Sequence, residues 1–174
     1  MKPVAIGLVG VLGYGQSHLN RIRYLQKEGM AELAAAVVID RDEAAEIVAE
    51  LEASGVAIYA TLADMLDNAR TKLEIVALPV GIDAHRELMI ASVEAGLDVV
   101  LEKPPAATVQ DVAAMQAALE RTGRFCQVGF QRQSNAAIRA LKGAICDGRL
   151  GKVRDIVVTA PWRRSAAYYA RNSW

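Results

Sequence analysis

The chain has 174 residues and a hydrophobic content of 53%, enough for one domain with a sizeable core and a poor fit for two. Twenty basic and twenty acidic residues cancel, so there is no global positive field to hold nucleic acid or an anionic membrane surface. No apolar run reaches the roughly 18 residues of a membrane helix. Cys126 and Cys146 lack metal-ligand spacing and any cysteine-rich framework, which points to a reduced, cytoplasmic setting and to no metal site.

The first element is an apolar run, Val4 to Val9, which breaks into Gly10, Gly13 and Gly15 before a helical pattern begins. Strand, tight turn and helix in that order expose backbone N–H groups at a helix N-terminus, where a phosphate can bind. Against the dinucleotide pattern G-x-G-x-x-G, Gly10 and Gly15 match, but Leu12 stands where the second glycine belongs. Two outcomes follow: Gly13 takes over through a shifted turn, or phosphate binding is weakened. The first helix is expected from about Gly15 to Lys27, with Leu19, Ile22 and Leu25 facing inward and Gly29 at its end.

Ala31 to Ile39 reads as the second strand and ends in Asp40-Arg41. An acidic residue there, 20–30 residues after the glycine turn, is where a dinucleotide fold reads the ribose hydroxyls. Asp40 would equally serve as the N-cap of a helix starting at Asp42. Asp40 favours NAD, whereas the Arg41 guanidinium, able to meet a 2′-phosphate, keeps NADP open. A helix to Ala53, a short strand from Val56 to Ala60 and a helix capped by Thr61 with Asp64 follow. Leu73 to Leu78 is the fourth strand, stopped by Pro79. Strand ends on this edge line the ligand crevice, so Leu78 and Pro79 are candidates for cofactor contact.

Asp83 is expected to cap the next helix, which carries His85 and ends at Gly96. The fifth strand, Leu97 to Leu101, runs into Glu102-Lys103-Pro104. A lysine in a partly desolvated crevice can help move a substrate hydroxyl proton; the plain alternative is a solvent-facing loop lysine. Thr108 and Asp111 form another capping pair, and Phe125 to Gly129 reads as the sixth strand. The alternation argues for a doubly wound parallel α/β sheet. Beyond it come Arg132, a helix capped by Ser134 or Asn135, a strand from Val153 to Thr159, and the aromatic and basic segment Pro161–Trp174.

GLVGVLGYGQSH, VVIDR, VALPVGIDAH, EAGLDVVLEKPPAAT, VGFQRQSNAAI, DGRLGKVRDI and PWRRSAAYYARNSW together resemble the glucose–fructose oxidoreductase / inositol dehydrogenase / MocA (Gfo/Idh/MocA) family of NAD(P)-dependent sugar and polyol oxidoreductases. The resemblance implies a Rossmann-type dinucleotide domain over residues 1–130 and, over 131–174, the start of a C-terminal substrate and oligomerisation domain. It implies that Gly10, Leu12, Gly13 and Gly15 hold the pyrophosphate, that Asp40 and Arg41 select the adenine ribose, and that Leu78 and Pro79 flank the nicotinamide. Lys103 would be the catalytic lysine, and Glu102 would orient it or the nicotinamide ribose. Arg132, Trp162, Arg163, Tyr168 and Tyr169 would line the pocket for a small sugar or polyol. Family members are dimers or tetramers with a longer chain, so this one looks like an N-terminal part, inactive alone, whose general-base histidine would lie beyond Trp174. The other reading of the same turn is a non-catalytic nucleotide-binding or regulatory protein.

Overall fold

A computed structural model describes residues 2–170, so the end of the aromatic segment, residues 171–174, lies outside it. Six parallel strands form one sheet: β1 (Val4–Val9), β2 (Ala31–Val37), β3 (Ala57–Tyr59), β4 (Ile75–Leu78), β5 (Asp98–Leu101) and β6 (Cys126–Val128). Their spatial order is β3-β2-β1-β4-β5-β6, the Rossmann order, with the chain reversing direction across the sheet between β1 and β4. Parallel neighbours need crossovers, and five helices supply them: α1 (Tyr14–Lys27), α2 (Ala45–Ala53), α3 (Leu62–Ala69), α4 (Ile82–Glu94) and α5 (Val109–Thr122).

Strand alternation divides the core into two layers. Leu8, Leu33, Ala36, Val38 and Ala77 face α1 and α2, whose Leu19, Ile22, Val48 and Leu51 cover them. Val9, Val37, Val76, Leu78, Val99 and Leu101 face α3, α4 and α5, meeting Met65, Met89, Val93 and Met115. Both faces of the sheet are therefore dry, which is why the strands read as apolar runs rather than as alternating ones. In β2 one extra residue, Ala34, falls between the partners of Ile6 and Gly7, a bulge that keeps Leu33 and Ala35 on opposite layers.

Several expected boundaries shift. α2 begins at Ala45, because residues 41–44 form a separate turn. The cap of α4 is Gly81 rather than Asp83, which lies in the first turn. Residues 131–174 group as a second compact unit, separate from residues 1–130. Within it Asn135 caps α6 (Ala136–Cys146), its Oδ1 accepting from the Ala137 N–H at 2.9 Å. The strand expected over Val153–Thr159 does not form, since a strand needs a hydrogen-bonded neighbour and none of the described residues pairs with it. Ile156, Val157 and Val158 are left exposed. A short helix, α7 (Ala166–Ala170), follows. Among the described residues no helix is long and apolar enough to cross a membrane.

Candidate functional site

The glycine turn sits at the carboxyl end of β1, beside the reversal point. Gly10 (φ +89°) and Gly13 (φ +56°) both take positive φ, and a Cβ at either would meet nothing within 4 Å, so the backbone there faces open space. Gly15 is constrained for a different reason: a Cβ on it would lie 2.3 Å from the Gly10 carbonyl oxygen and 3.7 Å from Pro79 Cγ. The turn closes through the Gly15 N–H on the Leu12 carbonyl at 2.9 Å. Leu12 packs its side chain against the α1-side core, so it is Gly13, one residue later, that supplies the bare backbone. No side chain caps α1 and no acidic residue lies in its first turn. N–H groups at such a start have no intrahelical acceptor, and the helix dipole adds partial positive charge, so this end suits an anion such as a diphosphate. Open backbone at Gly10 and Gly13, on a turn that the bare Gly15 lets close against the Gly10 carbonyl, fits a dinucleotide.

On one side of the turn, Asp40 Oδ1 accepts the Glu43 N–H at 2.9 Å and so anchors the 41–44 turn. Its second carboxylate oxygen has no partner among the described residues. Arg41 is drawn away along α2: its Nη2 donates to Glu52 Oε1 at 2.5 Å, with both side chains about half exposed.

On the other side lie the ends of β4 and β5. Leu78 is fully buried against the α3–α5 layer, so its side chain does not reach the turn, whereas Pro79, one residue on, does. The same alternation sends Leu101 to the α3–α5 layer and Glu102 to the α1 layer. There Glu102 Oε1 accepts from His18 Nε2 at 2.9 Å, and its Oε2 accepts from the Lys103 N–H at 3.3 Å. Lys103 has an exposed side chain with no ion-pair partner among the described residues, and its bond to Pro104 is cis. His85 is 1% exposed and holds the following loop: its Nδ1 lies 3.0 Å from the Pro104 carbonyl and its Nε2 3.1 Å from that of Val80.

In the second unit, Arg132 and Arg164 stack on the Trp162 ring at 5.4 and 5.6 Å, and Arg164 also covers Tyr168 at 4.6 Å. Tyr168 meets Tyr169 edge-on at 5.4 Å. Arg163 is exposed, and Arg164 rather than Arg163 joins the rings. Sequence reasoning passed over Arg164 and His18. The signal for His18 was its scarcity, as one of two histidines, together with its place on the helix that the glycine turn starts.

Residues 4–130 match the family described as "Oxidoreductase family, NAD-binding Rossmann fold", Gfo/Idh/MocA. The chain belongs to this family. Inositol 2-dehydrogenase of Azotobacter vinelandii is 31% identical over 148 residues, covering 84% of this chain and 42% of that protein. Inositol 2-dehydrogenase of Streptomyces avermitilis is 34% identical over 146 residues, 83% of this chain and 41% of that one. The WlbA dehydrogenase of Bordetella pertussis, solved with NADH and UDP-GlcNAcA, superposes with a TM-score of 0.85 at 28% identity, over 99% of this chain and 48% of that chain. The chain thus spans less than half the length of these Gfo/Idh/MocA relatives.

Proposed function

We propose that residues 1–130 form the dinucleotide-binding domain of an NAD-dependent dehydrogenase acting on a sugar, polyol or related small molecule, with residues 131–174 belonging to the substrate side. The observation that carries this reading is the start of α1: a glycine turn with open backbone, a position that admits no Cβ, and no side chain or carboxylate of its own at the helix N-terminus. Gly10, Gly13 and the first turn of α1 would hold the diphosphate, and Asp40 the adenine ribose. When bound, the cofactor supplies the hydride acceptor or donor. Lys103, exposed just after β5 and with no ion-pair partner among the described residues, would hydrogen-bond the reacting hydroxyl and carry its proton. The aromatic and cationic cluster of Trp162, Tyr168, Tyr169, Arg132 and Arg164, with Arg163 exposed beside it, offers ring faces and N–H donors of the kind that hold a hydroxylated ring or an acidic sugar. The inositol dehydrogenase and WlbA relatives support that substrate class.

The end of β2 supports a preference for NAD over NADP. A carboxylate accepts from a 2′-hydroxyl but repels a 2′-phosphate, and the cation beside it is already committed to Glu52. Titration of the chain with NADH and NADPH, followed by cofactor fluorescence, tests this. NADH is expected to bind more tightly than NADPH. Absence of binding by either up to millimolar concentration would overturn the reading.

A further inference from the structure

A pair of side chains ties α1, the helix that starts at the glycine turn, to the end of β5. His18 lies one turn beyond Tyr14 on α1, and Glu102 lies on the α1 side of the sheet because Leu101 before it faces the other layer. A carboxylate only accepts, so the His18 Nε2–H donates to Oε1 across the 2.9 Å gap. Three further features hold the pair. The Lys103 N–H approaches Oε2; Tyr14 meets the imidazole edge-on with ring centres 5.8 Å apart; and Gly129, after β6, leaves space that a Cβ would take, standing 3.2 and 3.3 Å from the two carboxylate oxygens. The side chains of His18 and Glu102 are 17% and 15% exposed, so the contact is far better shielded than an ordinary surface pair. Shielding a carboxylate costs desolvation that a packing role alone does not require, since an apolar side chain fills such a place without that cost.

The position of the pair says what it serves. Along the carboxyl edge of the sheet the order is Asp40 after β2, the glycine turn after β1, Pro79 after β4 and Glu102 after β5. Strands are about 4.8 Å apart, so Glu102 stands some two strand spacings from the turn, on the side away from Asp40. With the diphosphate on the turn and the adenine ribose at the β2 carboxylate, the other nucleoside extends over β4 and β5. An ionised carboxylate has about four lone-pair sites; His18 and the Lys103 N–H take one each, which leaves acceptors for ribose hydroxyls.

We propose that His18 is a positioning residue that fixes the Glu102 carboxylate against the nicotinamide nucleoside, so that this half of the cofactor is read through His18 while the adenosine half is not. The inference rests on the dinucleotide reading above. Its test compares NADH with ADP, which carries the adenosine and diphosphate but no second nucleoside, by fluorescence and calorimetric titration of the chain. His18→Ala should weaken NADH by roughly tenfold and leave ADP unchanged. His18→Gln, whose amide N–H reaches about where Nε2 does, should restore most of the NADH affinity. Glu102→Gln should weaken NADH and not ADP, and it carries the same comparison if His18→Ala does not fold. Equal weakening of both ligands by His18→Ala marks a merely structural histidine and overturns the proposal, as does unchanged NADH affinity. Failure of the unaltered chain to bind either ligand would instead count against the dinucleotide reading.

Discussion

Helices α1, α3 and α5 all start at the carboxyl edge of one sheet, yet they begin in two different ways. At α3, Thr61 Oγ1 accepts the Asp64 N–H at 3.1 Å while its hydroxyl donates to Asp64 Oδ2 at 2.7 Å. At α5, Thr108 and Asp111 repeat that arrangement with the same distances. Each of these helices brings its own oxygen and its own negative charge, and its end is complete. α1 brings neither: it starts on Gly13, and the residues that follow are Tyr14, Gly15 and Gln16. The contrast shows where in a uniform architecture an anion from outside is wanted. A self-capped start is sealed. α2 and α4 also lack a side-chain cap but carry Glu46 and Asp83 in their first turns, so α1, with neither cap nor carboxylate, is the start that suits an anion from outside.

The comparison breaks most visibly at Gly15. Gly15→Ala drives a Cβ into the Gly10 carbonyl, and is expected to abolish measurable NADH binding and to cost about 1–3 kcal/mol of stability. Titration and urea melts read the two effects. The capped helices should respond in the opposite sense. Thr61→Ala and Thr108→Ala are each expected to lower stability by about 1 kcal/mol while NADH affinity stays within about twofold. An effect of either on NADH would mean that the sealed and unsealed starts are not functionally distinct.

Much of this was legible in advance. The doubly wound parallel sheet followed from alternation and apolar runs, and both threonine caps followed from Thr-x-x-Asp spacing. Pro79 and Glu102 were placed by the rule that strand ends line the crevice. What the sequence hid was contact across distance: His18 and Glu102 are 84 residues apart, and only the alternation of β5 hints that they share a layer. The strand expected over Val153–Thr159 carried the right residue types, but residue type does not supply the neighbour that a strand needs. Asp83 has the chemistry of a cap, yet α4 starts one residue before it, at Ile82, with Gly81 as its cap, and the carboxylate serves the first turn instead.

Two smaller effects sharpen the contrast further. Glu52→Gln weakens the hold on Arg41, and is expected to raise NADPH affinity by about two- to fivefold with NADH unchanged, the size of an exposed ion pair. Competition titrations would detect it. The smallest effect concerns the sheet beneath the turn. Burial pushes the Cys126 thiol on β6 up from 9.0 to about 11. The unfolded thiol ionises near 9 while the folded one stays neutral, so this contribution to stability is intact below pH 9 and is lost as pH rises toward 11. Urea melts across that window should show the decline, and Cys126→Ser should flatten it. At pH 8 alkylation should modify exposed Cys146 well before Cys126.

The lengths of the strands carry a consequence for the behaviour of the chain in a crowded solution. The four inner strands run four to seven residues, while the outermost, β3 and β6, have three each. A border of three residues presents few unsatisfied backbone groups, too few to template a neighbouring polypeptide. The sheet thus tapers at both margins, and its flanks resist the edge-to-edge stacking by which parallel sheets aggregate.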